Sequence, residues 1–395
     1  MAITSITDAP LIGLSPEDPA FWQGMGARIL LPSPAVAAPD LAGLPLPAGA
    51  VVFSSSGSTG DPKFTVLTRQ ALLASARLVV DWLGIGAGDR LLCPLPLYHV
   101  GGFGILARAR VAGAAFQVID TRWNAGNFAT IARDWRATIT SLVPSQVFDL
   151  VRERVVSPPS LRLVVVGGGH LAPDLDSEAR QLGWPILASF GMTETASQIA
   201  TEKPGLRAPG AGWLPVVDGW SVANASDGRL RVRGDGLFAG RLRHGSSGWI
   251  FEPVETEENW FTTSDYAEIT RSNGQDWVRP LGRADDSIKI RGELVALSAV
   301  ARELDGLARA AGLHPADVAI IDIADPRAGR ALVLAGAASA AGQLPALCDA
   351  FNRRAPAFAR IEKVVQLDRI PRSPLGKLQR TRLREQLDRL VARPG

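Results

Sequence analysis

Val51-Val52-Phe53-Ser54-Ser55-Ser56-Gly57-Ser58-Thr59-Gly60-Asp61-Pro62-Lys63 is the stretch on which the reading of this chain turns. Three apolar residues run straight into a turn of hydroxyls and glycines, and such a turn offers backbone N–H groups and side-chain hydroxyls to phosphate oxygens. The spacing is not that of the G-x-x-x-x-G-K-[ST] loop, because Pro62 separates Gly60-Asp61 from Lys63 and no hydroxyl follows the lysine. A P-loop NTPase is therefore a poor fit. An ordinary Ser/Gly turn stays open as the plain reading, with the Gly-Asp-Pro-Lys ending weighing towards a nucleotide.

Outward from that stretch, short apolar runs at 51–53, 91–93, 114–119, 138–143 and 161–166 alternate with segments of helical period. This is the pattern of a parallel sheet covered by helices, an α/β architecture. Thr68 is the N-cap candidate of one helix, whose Leu72, Leu73, Ala76, Val79, Val80 and Leu83 share a face and which Gly84 and Gly86 end. Over 205–232 the texture changes to Gly/Pro punctuation with Asp227-Gly228 between short strands, which predicts a β-rich subdomain with a hairpin, built as a small barrel. Beyond Gly282 the pattern predicts a compact α+β domain: a helix near 297–311, strands near 318–323 and 331–335, a helix near 344–352 and a strand near 363–367. Residues 1–50 have one aromatic pair, Phe21 and Trp22, and read as a loosely structured lead-in.

The charge balance excludes one class of partner. With 42 Lys+Arg against 39 Asp+Glu over 395 residues, the formal charge of +3 leaves no broad footprint for nucleic acid. At 46% hydrophobic and 21% charged residues, disorder and collagen-like architectures are excluded as well. Cys93 and Cys348 are too few for a disulfide framework and lack metal-ligand spacing, so a reducing, cytoplasmic setting is expected. No basic n-region precedes an apolar core at the N-terminus, and no run approaches the ~20 apolar residues that span a bilayer, so neither secretion nor membrane insertion is expected. Only five of the basic residues are lysine (Lys63, Lys203, Lys289, Lys363 and Lys377), so each lysine asks for a role.

Further segments follow in order: Phe190-Gly191-Met192-Thr193-Glu194-Thr195, Trp260-Phe261-Thr262-Thr263-Ser264-Asp265, Gly282-Arg283-Ala284-Asp285-Asp286-Ser287-Ile288-Lys289-Ile290-Arg291-Gly292 and Pro371-Arg372-Ser373-Pro374-Leu375-Gly376-Lys377-Leu378-Gln379-Arg380. With the Ser/Gly loop they resemble the adenylate-forming superfamily of acyl-CoA synthetases, carrier-protein adenylation domains and luciferases. The resemblance implies a large adenylation domain over 1–284, a mobile C-terminal domain over 286–395 and a hinge at Asp285. It implies ATP, Mg²⁺ and CoA as cofactors, a small carboxylic acid as substrate and a reaction in two halves: ATP turns the acid into an acyl-adenylate, then a thiol displaces AMP.

Residue by residue, the resemblance makes Lys377 the catalytic cation at the α-phosphate, Glu194 the Mg²⁺ carboxylate and Thr193 a donor to the α-phosphate. Ser55, Ser56, Gly57, Ser58, Thr59, Gly60 and Lys63 become the triphosphate loop. Gly168, Gly169, Phe190, Gly191 and Met192 become the nucleotide wall, and Asp265 and Arg283 the ribose partners. His99 would orient the carboxylate or gate the acyl pocket. Taken alone, Thr193-Glu194 reads as a helix start, Asp265 and Arg283 as surface, the glycines after residue 166 as a turn, and His99 as structural. Lys289 stays open between a motif role and a solvated strand lysine.

The run Tyr98-His99-Val100, Gly102, Gly104-Ile105, Arg108, Ala112-Gly113, with Ser141-Leu142-Val143-Pro144-Ser145-Gln146, resembles more closely the o-succinylbenzoate-CoA ligases of menaquinone biosynthesis. That likeness implies that Arg108, helped by Ser141 and Gln198, meets a second carboxylate that the substrate keeps after activation, since burying a carboxylate demands a cationic partner. A surface arginine beside Arg110 is the alternative.

The chain departs from the family in three places. Phe64 follows Lys63 where glycine is usual, which would stiffen or shield the loop. Ser298-Ala299-Val300-Ala301 replaces a more acidic helix start, leaving coenzyme contacts there open. About fifty residues precede the loop where the family has a longer segment, so a shortened N-terminal scaffold is expected, with a homodimer to cover apolar surface. Three readings compete with the ligase of that acid: a general aryl- or fatty-acyl-CoA ligase, an enzyme loading a carrier protein, and a nucleotide binder that has lost catalysis.

Overall fold

The computed structural model describes residues 4–5, 21–22, 29–31, 39–56, 62–246, 248–284, 287–290, 293–325, 329–373 and 376–391. They divide into two compact units, the second built mainly from Leu281–Gly395.

In the first unit the expected parallel sheet forms in the order Ser197–Thr201, Ile186–Met192, Leu163–Val166, Ile139–Leu142, Arg90–Cys93, Ala115–Val118, antiparallel only at the first pair. Leu163–Val166 and Ile139–Leu142 are buried along their whole length; the first reads as an unbroken apolar run, while the second buries Thr140 and Ser141 between its apolar ends. The helices Ala125–Asp134, Pro144–Arg152 and Pro173–Gln181 cover one face, with Phe128, Leu150 and Trp184 in the shared core. Helix Arg69–Leu83 starts where the sequence places it: the Thr68 hydroxyl accepts from Ala71 N at 3.0 Å, a cap worth about 1 kcal/mol. Gly84 ends it with φ +59°.

Two expectations are corrected. The apolar run at 51–53 is not part of the parallel sheet. It lies in strand Ala50–Ser56 of a second sheet, ordered Thr4–Ser5, Ile29–Leu31, Ala50–Ser56, Pro62–Thr68, Gly240–Gly245, Gly248–Pro253. A fully apolar strand looks the same in either sheet, so the sequence does not assign it. The lead-in is also not loose where described. Ile29–Leu31 pairs parallel with residues 51–53, Leu41 and Phe21 are fully buried, and Phe21, Trp22 and Phe53 surround Phe103 at ring-centroid distances of 5.4–5.9 Å. Each segment is too short to show a period, yet each delivers one strand or one aromatic pair to the core.

Phe64 has a definite role. In strand Pro62–Thr68, Lys63 points to solvent and Phe64 to the core, where it meets Trp249 edge to face at 5.1 Å. It packs the sheet. The Asp227-Gly228 hairpin forms between Ser221–Asn224 and Arg229–Arg233. Around that hairpin the described residues give a five-stranded sheet ordered Leu214–Pro215, Gln275–Arg283, Phe261–Ser272, Arg229–Arg233, Ser221–Asn224.

The second unit matches its predicted elements closely: helices Leu297–Ala310 and Leu344–Arg354, and strands Val318–Asp325, Gly329–Ala337 and Ile361–Leu367 in one sheet. Val318 and Ile320 pack on those two helices, while Ala319, Ile321 and Ile323 face Leu383 and Leu387 of the helix Arg380–Val391. Asp322, 1% exposed, is paired with both Arg330 and Arg384, which ties that last helix to the sheet.

Candidate active site

Strand order in the parallel sheet reverses at Arg90–Cys93: the chain first adds Ala115–Val118 on one side and then Ile139–Leu142 on the other. At such a switch point the connections leave in opposite directions and open a crevice beyond the carboxyl ends of the strands. Several of the motif segments of this unit lie at or beyond those carboxyl ends. Residues 94–99 follow one strand, Ser141 lies in the next, 167–169 follow the third and Thr193–Thr195 the fourth.

Arg108 is the electrostatic anomaly of this region. It sits on helix Val100–Ala112 and is only 4% exposed, whereas Arg110 is exposed. The surface-arginine reading is therefore overturned. Residues two apart lie on different sides of a helix, so an Arg-Ala-Arg run sends one guanidinium inward and the other out. Arg108 donates to Gln198 Oε1 and, at 3.3 Å, to Ser141 Oγ, bringing together the trio expected from the sequence. Gly104, one turn earlier, leaves the room: a Cβ there would stand 3.3 Å from Ser197 Oγ and 3.7 Å from Arg108 Nη1.

Both hydrogen-bond partners of Arg108 are neutral, no carboxylate pairs with it among the described residues, and Cys93 is the group whose charge would favour the cation. Burial lowers its pKa to about 10, so it keeps its proton at neutral pH. A buried cation held only by neutral oxygens is suited to receive an anion. His99 is half-buried at the start of the same helix, with its ring 4.7 Å from that of Tyr98.

Thr193–Thr195 forms a single 3₁₀ turn joining Ile186–Met192 to Ser197–Thr201. The helix-start reading of Thr193-Glu194 holds only to that extent, since the turn opens no longer helix. Thr195 is fully buried and holds the turn: its hydroxyl accepts from Met192 N at 3.3 Å and lies 3.0 Å from the Met192 and Ser197 carbonyl oxygens. Ala196 closes the turn in the left-handed region at φ +55°, a strained conformation for a residue with a Cβ. Gly191 is dictated by this approach, because a Cβ would fall 1.8 Å from the Ser197 carbonyl oxygen. Gly191→Ala is expected to lower the free energy of unfolding by about 1–3 kcal/mol through forced strand separation. Gly86→Ala, whose Cβ would have no neighbour within 4 Å, serves as the control in the same denaturant titration.

Glu194 projects from that turn and is half-buried. Arg241, on strand Gly240–Gly245, donates to its Oε1 at 2.8 Å while stacking over Phe238 and Phe261 at 4.9 and 5.8 Å. Sequence reasoning missed both Arg241 and Thr195. Arg241 belongs to no motif, and only the pairing of Gly240–Gly245 with Pro62–Thr68 brings it to the turn. Phe190 and Met192 are half-buried, while Gly168, Gly169, Gly191 and Lys63 are exposed.

In the second unit, Arg283 Nη1 lies 3.7 Å from Asp265 Oδ2, so the expected ribose partners adjoin each other, Asp265 being the more buried of the two. Lys377 is exposed in a tight hairpin whose Arg372 and Leu378 pair across it. Gly57, Ser58, Thr59, Gly60 and the hinge candidate Asp285 lie outside the described residues, as do the side chains of Ser55, Ser56 and Lys289.

A parallel sheet that reverses its order at Arg90–Cys93, with the buried Arg108 bonded to two of its strands and the Glu194 turn at the end of another, is an α/β architecture of the kind that binds ligands beyond its carboxyl ends. The chain belongs to the AMP-binding enzyme family, whose sequence model matches residues 37–241. Among curated proteins it is 30% identical over 278 residues to 2-succinylbenzoate–CoA ligase of Staphylococcus aureus, which covers 68% of this chain and 55% of that protein. The chain thus spans about half the length of that relative.

Among solved structures it is similar to o-succinylbenzoate CoA synthetase (MenE) from Bacillus subtilis in complex with the acyl-adenylate intermediate OSB-AMP. The TM-score is 0.68 at 25% identity, covering 84% of this chain and 68% of that one. The same Bacillus subtilis enzyme in complex with ATP and magnesium ion gives a TM-score of 0.67 at 25% identity over 84% and 69% of the two chains. The fold is that of the adenylate-forming enzymes. No helix among the described residues is long and apolar enough to cross a membrane.

Proposed function

We propose that this protein is an ATP- and Mg²⁺-dependent acid–CoA ligase acting through an acyl-adenylate, and that its acid is o-succinylbenzoate. The observation that carries the substrate reading is the buried Arg108 with only neutral partners, Gln198 and Ser141, beside the switch-point crevice. A substrate that keeps one carboxylate after the other has been activated supplies the missing anion. The relatives named above support the same acid.

In the first half-reaction a carboxylate oxygen of the acid attacks the α-phosphorus of ATP, the bond to the β-phosphate oxygen breaks and pyrophosphate leaves. Negative charge grows on the α-phosphate oxygens, and a fixed cation there stabilises the transition state more than the ground state. Lys377 is assigned that role and Thr193 a hydrogen bond to the same phosphate. The loop from Ser55 to Gly60, with Lys63, is assigned the triphosphate, while Gly168, Gly169, Phe190, Gly191 and Met192 form the nucleotide wall. Asp265 accepts from the ribose hydroxyls, Arg283 donates to the sugar, and His99 orients the carboxylate. In the second half-reaction the CoA thiolate attacks the acyl carbon and the C–O bond to AMP breaks. The division into domains at 1–284 and 286–395, with the hinge at Asp285, belongs to this proposal.

No group of three or more His, Cys, Asp or Glu side chains stands together among the described residues, so a metal here needs oxygens from elsewhere. That fits Mg²⁺, which is bound through one or two carboxylates together with substrate phosphates. Glu194 is the carboxylate for it; when bound, the ion neutralises charge on the triphosphate. Glu194→Gln is expected to raise the Mg²⁺ concentration for half-maximal pyrophosphate exchange about tenfold or more. An unchanged requirement would remove Glu194 from the metal site.

The class is tested by acid-dependent pyrophosphate release with ATP. ATP binding with no such release would leave a nucleotide binder instead. Offering CoA and a phosphopantetheine carrier protein side by side identifies the thiol acceptor. A cytoplasmic setting and a homodimer accompany the proposal, the latter checked by light scattering of the purified protein.

A further inference from the structure

The hairpin that carries Lys377 is held by one side chain. Arg372, half-buried, donates from Nε to the Ala316 carbonyl oxygen at 2.8 Å, from Nη2 to Pro315 at 3.0 Å and Val318 at 2.9 Å, and from Nη1 to Gly376 at 3.1 Å. Three of these acceptors lie in or just after the 3₁₀ turn Pro315–Asp317, at the edge of the sheet; the fourth is the residue immediately before Lys377. The hairpin itself supplies the rest. Ser373 N donates to the Lys377 carbonyl oxygen at 2.8 Å, Lys377 N donates to Ser373 Oγ at 3.2 Å, and Gly376 turns the chain at φ +73°. Asp305 and Asp317 lie near enough for their charges to act on the guanidinium.

This is more than hairpin stability requires. A guanidinium presents its donors in a rigid plane, so spending them on four carbonyls from two chain segments fixes one segment against the other in position and in angle. The main chain of Lys377 is thereby fixed relative to the sheet.

We infer that Arg372 is the positioning residue of the Lys377 loop: by bridging Pro315, Ala316 and Val318 to Gly376, it sets where the Lys377 ammonium is presented, without itself touching nucleotide or acid. The inference rests on the role proposed for Lys377. Misplacing a catalytic group by about 1 Å costs about 10²-fold in rate. Arg372 should therefore govern adenylation and not thioester formation.

The test compares Arg372→Ala, Arg372→Lys, Ser373→Ala, Lys377→Ala and the Arg372/Lys377 double alanine variant in the full chain. Each is measured for acid-dependent pyrophosphate exchange with o-succinylbenzoate, thioester formation from supplied acyl-adenylate and CoA, and thermal unfolding. Arg372→Ala is expected to lower the exchange rate about 10–100-fold, to leave the thioester step unchanged, and to add nothing to Lys377→Ala, because a lost position costs nothing once the positioned group is gone. Arg372→Lys, a point charge without the fork, falls between Arg372→Ala and wild type.

Equal losses in both half-reactions, or losses that add in the double variant, would make Arg372 a structural clamp and overturn the inference while the Lys377 assignment stands. If Arg372→Ala does not fold, Ser373→Ala and Arg372→Lys are judged by the same selectivity between half-reactions. If Lys377→Ala keeps its exchange activity, the Lys377 assignment falls and the inference falls with it.

Discussion

Lys377→Ala is expected to lower adenylate formation by about 10²–10³-fold, equivalent to about 3–4 kcal/mol of transition-state stabilisation, while thioester formation from supplied acyl-adenylate continues at its normal rate. The asymmetry follows from where charge develops. In the first half-reaction the α-phosphate passes through a state with more charge on its oxygens than ATP or adenylate carries, and a compact ammonium there acts only on that step. In the second half-reaction the reacting centre is the acyl carbon and AMP leaves with its phosphate already charged. Lys377 is suited to a task that occurs in one half-reaction only. It is exposed, on a hairpin fixed at its main chain, at the end of a stem with several rotatable bonds. Measuring the two half-reactions separately decides the point, and equal losses in both would defeat the assignment.

Arg108→Ala is expected to raise the KM for o-succinylbenzoate about 10²-fold or more while changing the KM of a monocarboxylic analogue little. Removing one partner of a buried, hydrogen-bonded charge pair costs about 2–5 kcal/mol, and that pair exists only when the ligand brings a second carboxylate. The guanidinium is prepared for it. It is buried, still protonated, and oriented by Gln198 Oε1 and Ser141 Oγ, with no carboxylate of the described chain neutralising it. A monocarboxylate has nothing to place there, so the substitution takes nothing from it. Equal changes for both acids would make Arg108 a structural residue.

Much of this was readable from the chain. Strands such as Arg90–Cys93 and Leu163–Val166 are legible because both faces are buried and their apolar residues run together. Helix Arg69–Leu83 is legible because Thr68 and Gly84 mark its ends, and the C-terminal unit because each of its elements is long enough to show a period. What was not legible depends on contacts distant in sequence. Residues 51–53 carry no sign of which sheet they join. The buried Phe21 and Leu41 come from segments too short to show a pattern. Arg241 reaches Glu194 through strand pairing alone. The pairing of Arg108 with Gln198, ninety positions further on, was suggested by family resemblance and could not have come from local pattern. Which of Arg108 and Arg110 faces inward was likewise settled only by the packing of their helix.

On the proposed reading, the buried guanidinium of Arg108 selects an acid with a second carboxylate for activation and thioester formation. This selection is tested most directly by incubating the protein with ATP, Mg²⁺ and CoA and with o-succinylbenzoate, a simple aryl acid or a fatty acid in turn, following AMP and thioester by mass spectrometry. AMP and a CoA thioester formed preferentially from o-succinylbenzoate are the predicted result. AMP and thioester from the aryl or fatty acid, with none from o-succinylbenzoate, would contradict it.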